Sequence, residues 1–274
     1  MMEFQFEWTD LPLTDDTKTF LTSIGTAFGS NLRKLTLHAH VLNFRDLQVI
    51  TPSTPVEELE LHFDYSARTS STKATKDNSC AEHQELLAVV LPLIVHSSSA
   101  MRSLMIFSSS SVDLSDLFVA LPSMQHLKRF GVAIPFEKTI FSDSFGLLDF
   151  LRRHSSSLCE VHLSPNLPFR TDMLQLRKKE VWEPFNDLLL DDMALLSGLK
   201  SLEIPFVSLG KTIPLLQRSA DTLTSLVLTN HILSFVEAMD VLSVFSHRQT
   251  RLKTFHAEAV HFTSSQLREY RKYR

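Results

Sequence analysis

Leu32-Arg33-Lys34-Leu35-Thr36-Leu37 is the stretch whose reading decides the fold. Leucine, two variable residues, leucine, one variable residue, leucine is a phrase that returns along the chain. Its clearest further copies are Leu199-Lys200-Ser201-Leu202-Glu203-Ile204 and Leu223-Thr224-Ser225-Leu226-Val227-Leu228. Candidate copies begin at Met1, Leu32, Val56, Met101, Leu127, Leu158, Leu199, Leu223 and Leu252, at spacings of 24 to 45 residues. In a strand, alternate side chains point to opposite faces. Leu35 and Leu37 therefore share an inner face, while Lys34, Thr36 and His38 share an outer one. Such strands stacked in parallel need long crossovers, which the intervening segments supply.

Those segments read as helices. Asp15 to Phe28 places Phe20, Leu21, Ile24 and Phe28 on a spacing near 3.6. Glu82 to His96 is strongly apolar, and Pro92 is expected to kink it. Asp113 or Ser115 is a candidate cap for a helix through Leu117, Phe118 and Leu121. Ser144 to His154, Leu188 to Leu196, Ile213 to Ser219 and Phe235 to His247 follow the same habit. The predicted unit is strand, turn, helix, turn.

The composition narrows the function classes. The chain has 274 residues, is 43% hydrophobic and carries a formal net charge of −4. The first value supports a sizeable core, and the last argues against a general nucleic-acid binder. Two cysteines, Cys80 and Cys159, make no disulfide framework. The longest apolar run, Leu86 to Val95, contains Pro92 and falls short of the roughly 20 residues a membrane span needs. Met1 to Asp10 lacks the apolar region of a signal peptide. An intracellular protein, cytoplasmic or nuclear, that binds neither nucleic acid nor membrane is the expectation. The basic tail Arg268 to Arg274 reads as a solvated final helix.

Two stretches break the rhythm. Residues 64–84 are nearly devoid of apolar side chains and read as a mobile insertion. Residues 165–188, with Arg177, Lys178, Lys179 and Trp182, read as an extra helical insertion. The phrase resumes after each, so the expectation is a single domain over residues 1–274.

The phrases Leu158-Cys159-Glu160-Val161-His162-Leu163 and Leu223 to Leu228, each following a helix that ends in serine or alanine, resemble leucine-rich-repeat proteins of the ribonuclease-inhibitor-like kind. Repeats of that class run about 20–29 residues and stack to bury a continuous core. The uneven spacing resembles the divergent fungal F-box/leucine-rich-repeat proteins. The resemblance implies a right-handed, curved α/β solenoid with parallel strands inside and helices outside. It also implies binding of a substrate protein by the repeats of a ubiquitin-ligase receptor. A Skp1-type adaptor would be a partner where an F-box exists. None is visible: Asp10-Leu11-Pro12-Leu13 has the initial Leu-Pro, but the first clear phrase follows at Leu32.

The phrase also names the candidate binding residues on the concave strand face. Its middle positions are Gln5, Thr36, Glu60, Met105, Gly131, His162, Glu203, Val227 and His256. Lys34, Glu58, Arg129 and Glu160 flank them on one side, and His38, His62, Phe107 and Glu258 on the other. This is a mixed polar surface suited to a protein partner, with Met105 and Phe107 as its apolar anchor. His38 and His62 should be neighbours roughly 5 Å apart by strand spacing. With His40 at the strand end they read as surface histidines, so no metal or other cofactor is expected. The competing class is a hydrolase built on serine and histidine. There is no Gly-x-Ser-x-Gly and glycine totals only 6, so no catalytic residue is assigned.

Overall fold

The computed structural model describes residues 2–8, 13–47, 55–64, 86–108, 114–134, 144–164, 189, 195–205, 208–246 and 251–259. These residues fall into two compact units that divide between Leu158 and Cys159. The expected insertions over 64–84 and 165–188 lie outside the described residues, apart from Asp64.

In the first unit the strands are β1 (Met2–Trp8), β2 (Leu32–His40), β3 (Glu58–Asp64), β4 (Ser103–Ser108) and β5 (Arg129–Ala133). Each pairs in parallel with the next in chain order. In the second unit β6 (Glu160–Ser164), β7 (Ser201–Pro205), β8 (Ser225–Leu233) and β9 (Thr254–Ala259) do the same. The chain is thus an α/β protein of parallel strands. The helices are α1 (Asp15–Phe28), α2 (Phe44–Leu47), α3 (Leu91–Ser97), α4 (Ser115–Ala120), α5 (Ser144–His154), α6 (Leu209–Ser219) and α7 (Phe235–Ser246).

The pairing register is the one the phrase predicts. Phe4, Leu35, Leu59, Leu104 and Phe130 lie side by side, as do Phe6, Leu37, Leu61, Ile106 and Val132. Within these two rows every residue on β2 to β5 is buried. In the second unit Val161, Leu202 and Leu226 form the equivalent buried row. A backbone contact recurs just ahead of the strands. The carbonyl of Glu57 accepts from the N–H groups of Arg102 and Ser103, and that of Arg102 from Lys128 and Arg129. In the second unit the carbonyls of Cys159, Lys200 and Thr224 accept two such bonds each from the following copy. The accepting residue always follows the first apolar residue of its phrase, so the pairing is locked before each strand begins.

Several local expectations need correcting. Ser115 is not a cap: it is the buried first residue of α4, behind Leu114, and no side chain among the described residues caps that end, while Asp113 lies outside them. A π-helical turn, Leu86–Val90, leads into α3, and Pro92 sits in the first turn of α3. The helix expected to end at Leu196 gives way to a turn, with Leu196 at φ 61° and Gly198 at φ 80°. Both values are left-handed, and a right-handed helix cannot pass through them. Helix α6 begins four residues earlier than the expected Ile213 and runs through Pro214.

Helices α4 and α5 pack closely, because Gly146 lets the backbones approach: a Cβ there would lie 2.8 Å from the Ser115 carbonyl oxygen. Two side chains of α5 then fasten the neighbouring backbone. Arg153 donates to the carbonyls of Phe118 (3.0 Å) and Leu121 (2.5 Å), where α4 ends. Those carbonyls have no partner within the helix, and a cation favours that end of the dipole. His154 is 1% exposed, accepts from the Met124 N–H at 2.8 Å and donates to the Phe150 carbonyl at 2.7 Å. Only the neutral ring with its proton on Nδ1 can make both bonds.

Burial, seconded by the nearby Arg153 charge, holds the His154 pKa below the usual histidine value. Burial does the same to His40, against the pull of Asp64. As pH falls below about 6.5, the unfolded chain takes up protons that these folded rings resist. Their stabilising contribution is therefore complete above that pH and shrinks below it. The melting temperature should fall between pH 7 and pH 5, and His154→Gln should fall less steeply over the same interval. Melts at fixed ionic strength decide this; equal slopes for the two proteins would remove His154 from the explanation.

Candidate functional site

The outward positions of the first unit form three rows across β1 to β5. Glu3, Lys34, Glu58, Ser103 and Arg129 make the first. Gln5, Thr36, Glu60, Met105 and Gly131 make the second. Glu7, His38, His62, Phe107 and Ala133 make the third. Strand pairing thus brings together Lys34, Thr36, His38, Glu58, Glu60, His62, Met105, Phe107 and Arg129.

The first row alternates in charge and is internally paired. Lys34 Nζ lies 2.5 Å from Glu3 Oε1, and Arg129 Nη2 lies 2.6 Å from Glu58 Oε1. Ser103, between Glu58 and Arg129, is small enough for the guanidinium to span its strand. Hydrogen bonding to Glu3 is the main cause raising the Lys34 pKa. In the second row Thr36 is only 6% exposed, so it packs among its neighbours rather than offering itself to a ligand. Met105 and Glu60 are half-buried.

The third row carries the rings. His38 and His62 pair across β2 and β3 with ring centroids 5.2 Å apart, and His62 stacks on Phe107 at 4.3 Å with planes 8° apart. His38 faces a carboxylate on each side, Asp64 at 2.9 Å from Nε2 and Glu7 at 3.4 Å from Nδ1. His62 Nε2 meets Glu60 at 2.7 Å. The result is a braced aromatic strip, flanked by acids and half open to solvent. Among the described residues no group of three or more His, Cys, Asp or Glu side chains could hold a metal ion.

The second unit brings Glu160, His162, Glu203 and His256 onto the outward face of its own strands. His162 pairs with Glu203, and Nδ1 lies 3.2 Å from Glu203 Oε2; Glu160 stands 4.0 Å from its other nitrogen. Hydrogen bonding to His162 holds the Glu203 carboxyl below the usual range, although burial opposes the shift. Val227 separates Glu203 from His256 by one strand. The side chain of Glu258 falls outside the described ones. Cys159 is half-buried immediately before β6 and contributes its carbonyl to the pairing ladder, while Cys80 lies outside the described residues.

Three participants escaped the sequence reading. Glu3 and Glu7 flank Gln5 as Lys34 and His38 flank Thr36, so the same alternation would have found them. Asp64 stands two residues beyond His62 at the end of β3, where the sequence suggested the start of a loop.

No helix among the described residues is long and apolar enough to cross a membrane. No family model matches this chain, and no curated protein matches it significantly.

Proposed function

We propose that this chain is a right-handed leucine-rich-repeat solenoid that recognises a partner protein on its outward strand face. The recurring two-donor contact ahead of the strands supports the repeat reading, because the same pair of bonds falls at the same place in the copies that begin at Val56, Met101, Leu158, Leu199 and Leu223. One observation carries the binding reading: in-register rows that alternate charge around the half-open His62–Phe107 stack and Met105. Such a surface has an apolar centre and a polar rim, the anatomy of a protein contact. The F-box/leucine-rich-repeat resemblance supports a narrower role as the substrate-recognition part of a ubiquitin-ligase receptor. No catalytic role is assigned to any residue.

The test is affinity purification of the tagged chain from its source cells, beside the variant Glu60→Ala/Met105→Ala/Phe107→Ala. A partner recovered with the parent should drop at least about tenfold with the variant, the loss expected when a few central residues carry the contact. Undiminished recovery with a variant of native circular dichroism would refute the face. Recovery of a Skp1-type adaptor would support the ligase role.

A further inference from the structure

Among the described residues β1 pairs with β2 and with no other strand. Its far edge carries backbone donors and acceptors that no described strand meets, the condition that templates pairing with another chain. No residue from Glu3 to Trp8 is fully buried, whereas the inward residues of β2 are. Beside this edge lies a cavity of about 260 Å³, walled by Met2, Phe4, Ile24, Phe28 and Leu32. Gly25 and Gly29 line it without narrowing it. Phe28 is 47% exposed, and Met2 is 37% exposed.

The charges on the strand select the occupant. Glu3 and Glu7 are outward-facing and have side chains 52% and 62% exposed. On the β2 side each meets a cation or an imidazole, Lys34 and His38. On the free side nothing among the described residues answers them. A second copy fits badly, because antiparallel pairing of two β1 strands about Gln5 would set Glu3 opposite Glu7, and facing like charges are destabilising.

We propose that the free edge of β1 captures an extended segment of another protein with basic residues at positions i and i+4 and apolar residues at i+1 and i+3. The backbone of that segment continues the sheet. Its cations meet Glu3 and Glu7, and an apolar side chain beside Phe4 enters the cavity. This is recognition by strand addition, in which main-chain bonds supply affinity and alternate side chains supply specificity. It uses the edge of the strands rather than their outward face, so it stands independently of the function proposed above.

The probe is a fluorescein-labelled peptide, Thr-Lys-Leu-Thr-Leu-Lys-Thr, whose core reads the same in both directions and so tests either strand polarity. Fluorescence anisotropy with the full chain should show saturable binding. A peptide with both lysines replaced by glutamate should bind about tenfold more weakly or worse, as should the parent peptide on Glu3→Gln/Glu7→Gln. N–H groups alternate sides along a strand, so methylating alternate backbone nitrogens in one phase should abolish binding and in the other phase spare it. The Glu60→Ala/Met105→Ala/Phe107→Ala variant should bind the peptide as the parent does. No saturable binding, equal affinity for the lysine and glutamate peptides, or equal loss from both methylation phases would overturn the proposal. So would a dimer in sedimentation that the peptide dissociates, since the edge would then belong to a second copy. The peptide series uses the unmodified protein, so a misfolded variant cannot hide the answer.

Discussion

Phe150→Ala should lower the unfolding free energy of the first unit by about 3–5 kcal/mol, the usual cost of deleting a fully buried ring. Phe150 has no exposed surface and sits where three elements converge. Its ring is 4.8 Å from Phe130 on β5 and 5.8 Å from Phe118 on α4, centre to centre. The His154 ring is 4.4 Å away on its own helix. Removing it leaves a void that strand and helices cannot close without moving together, and packed interiors relax only in part. The backbone bond from His154 to the Phe150 carbonyl survives the substitution, so the loss measures the contacts of the ring, including the Arg153 guanidinium 5.8 Å from its centre. Arg152, on the exposed side of the same helix, pairs with Asp149, and Arg152→Ala should cost under about 1 kcal/mol. Urea unfolding followed by circular dichroism separates the two. A loss below about 1 kcal/mol for Phe150→Ala would mean that α5 does not seat on β5 as described.

The contrast between these two residues shows what the sequence makes legible. A helix announces its inner face through spacing, and Ser144 to His154 was readable as a unit for that reason. Strands announce theirs through alternation, so the neighbours Leu35, Leu59 and Leu104 could be named from composition at fixed places. The clamps by Arg153 and His154 could not. Their partners are main-chain groups of Leu121 and Met124, some 30 residues away, and every residue type carries those groups. His154 looked like one more histidine at the end of an amphipathic helix. For the same reason the left-handed turn at Leu196 is not legible, since leucine gives no hint of a left-handed backbone.

The outward face was legible in a different degree. Alternation alone put Lys34, Glu58 and Arg129 in one row and His38, His62 and Phe107 in another. It did not show that Thr36 would be covered, because its burial depends on how Glu60 and its other neighbours lie. Nor did it show which charges satisfy one another. Arg129 reaches Glu58 two strands away because Ser103 intervenes, and a larger residue there would have kept them apart. Pairing of this kind consumes charge. Lys34 is spent on Glu3, and Glu58 and Arg129 on each other, which leaves the ring strip and its acids as the more available part of the face.

Leu226→Ala should cost about 2–5 kcal/mol, and Val227→Thr, one residue along, far less. Leu226 is fully buried on β8 between Leu202 and Phe255. Val227 points the other way, half-exposed between Glu203 and His256, where a hydroxyl can reach water. Thr224→Ala is an intermediate control. It deletes an exposed hydrogen bond, 2.8 Å from Thr224 Oγ1 to the Lys200 carbonyl, but spares the two backbone bonds that the Thr224 carbonyl accepts. Its cost should be about 1 kcal/mol. The ordering matters more than any single value. A slip of one residue in β8 would exchange the two faces, put Val227 in the core and make its substitution the costly one. Equilibrium unfolding of the three variants therefore reads the register directly. Equal losses at 226 and 227 would dissolve the two-faced strand on which both the buried rows and the outward site depend.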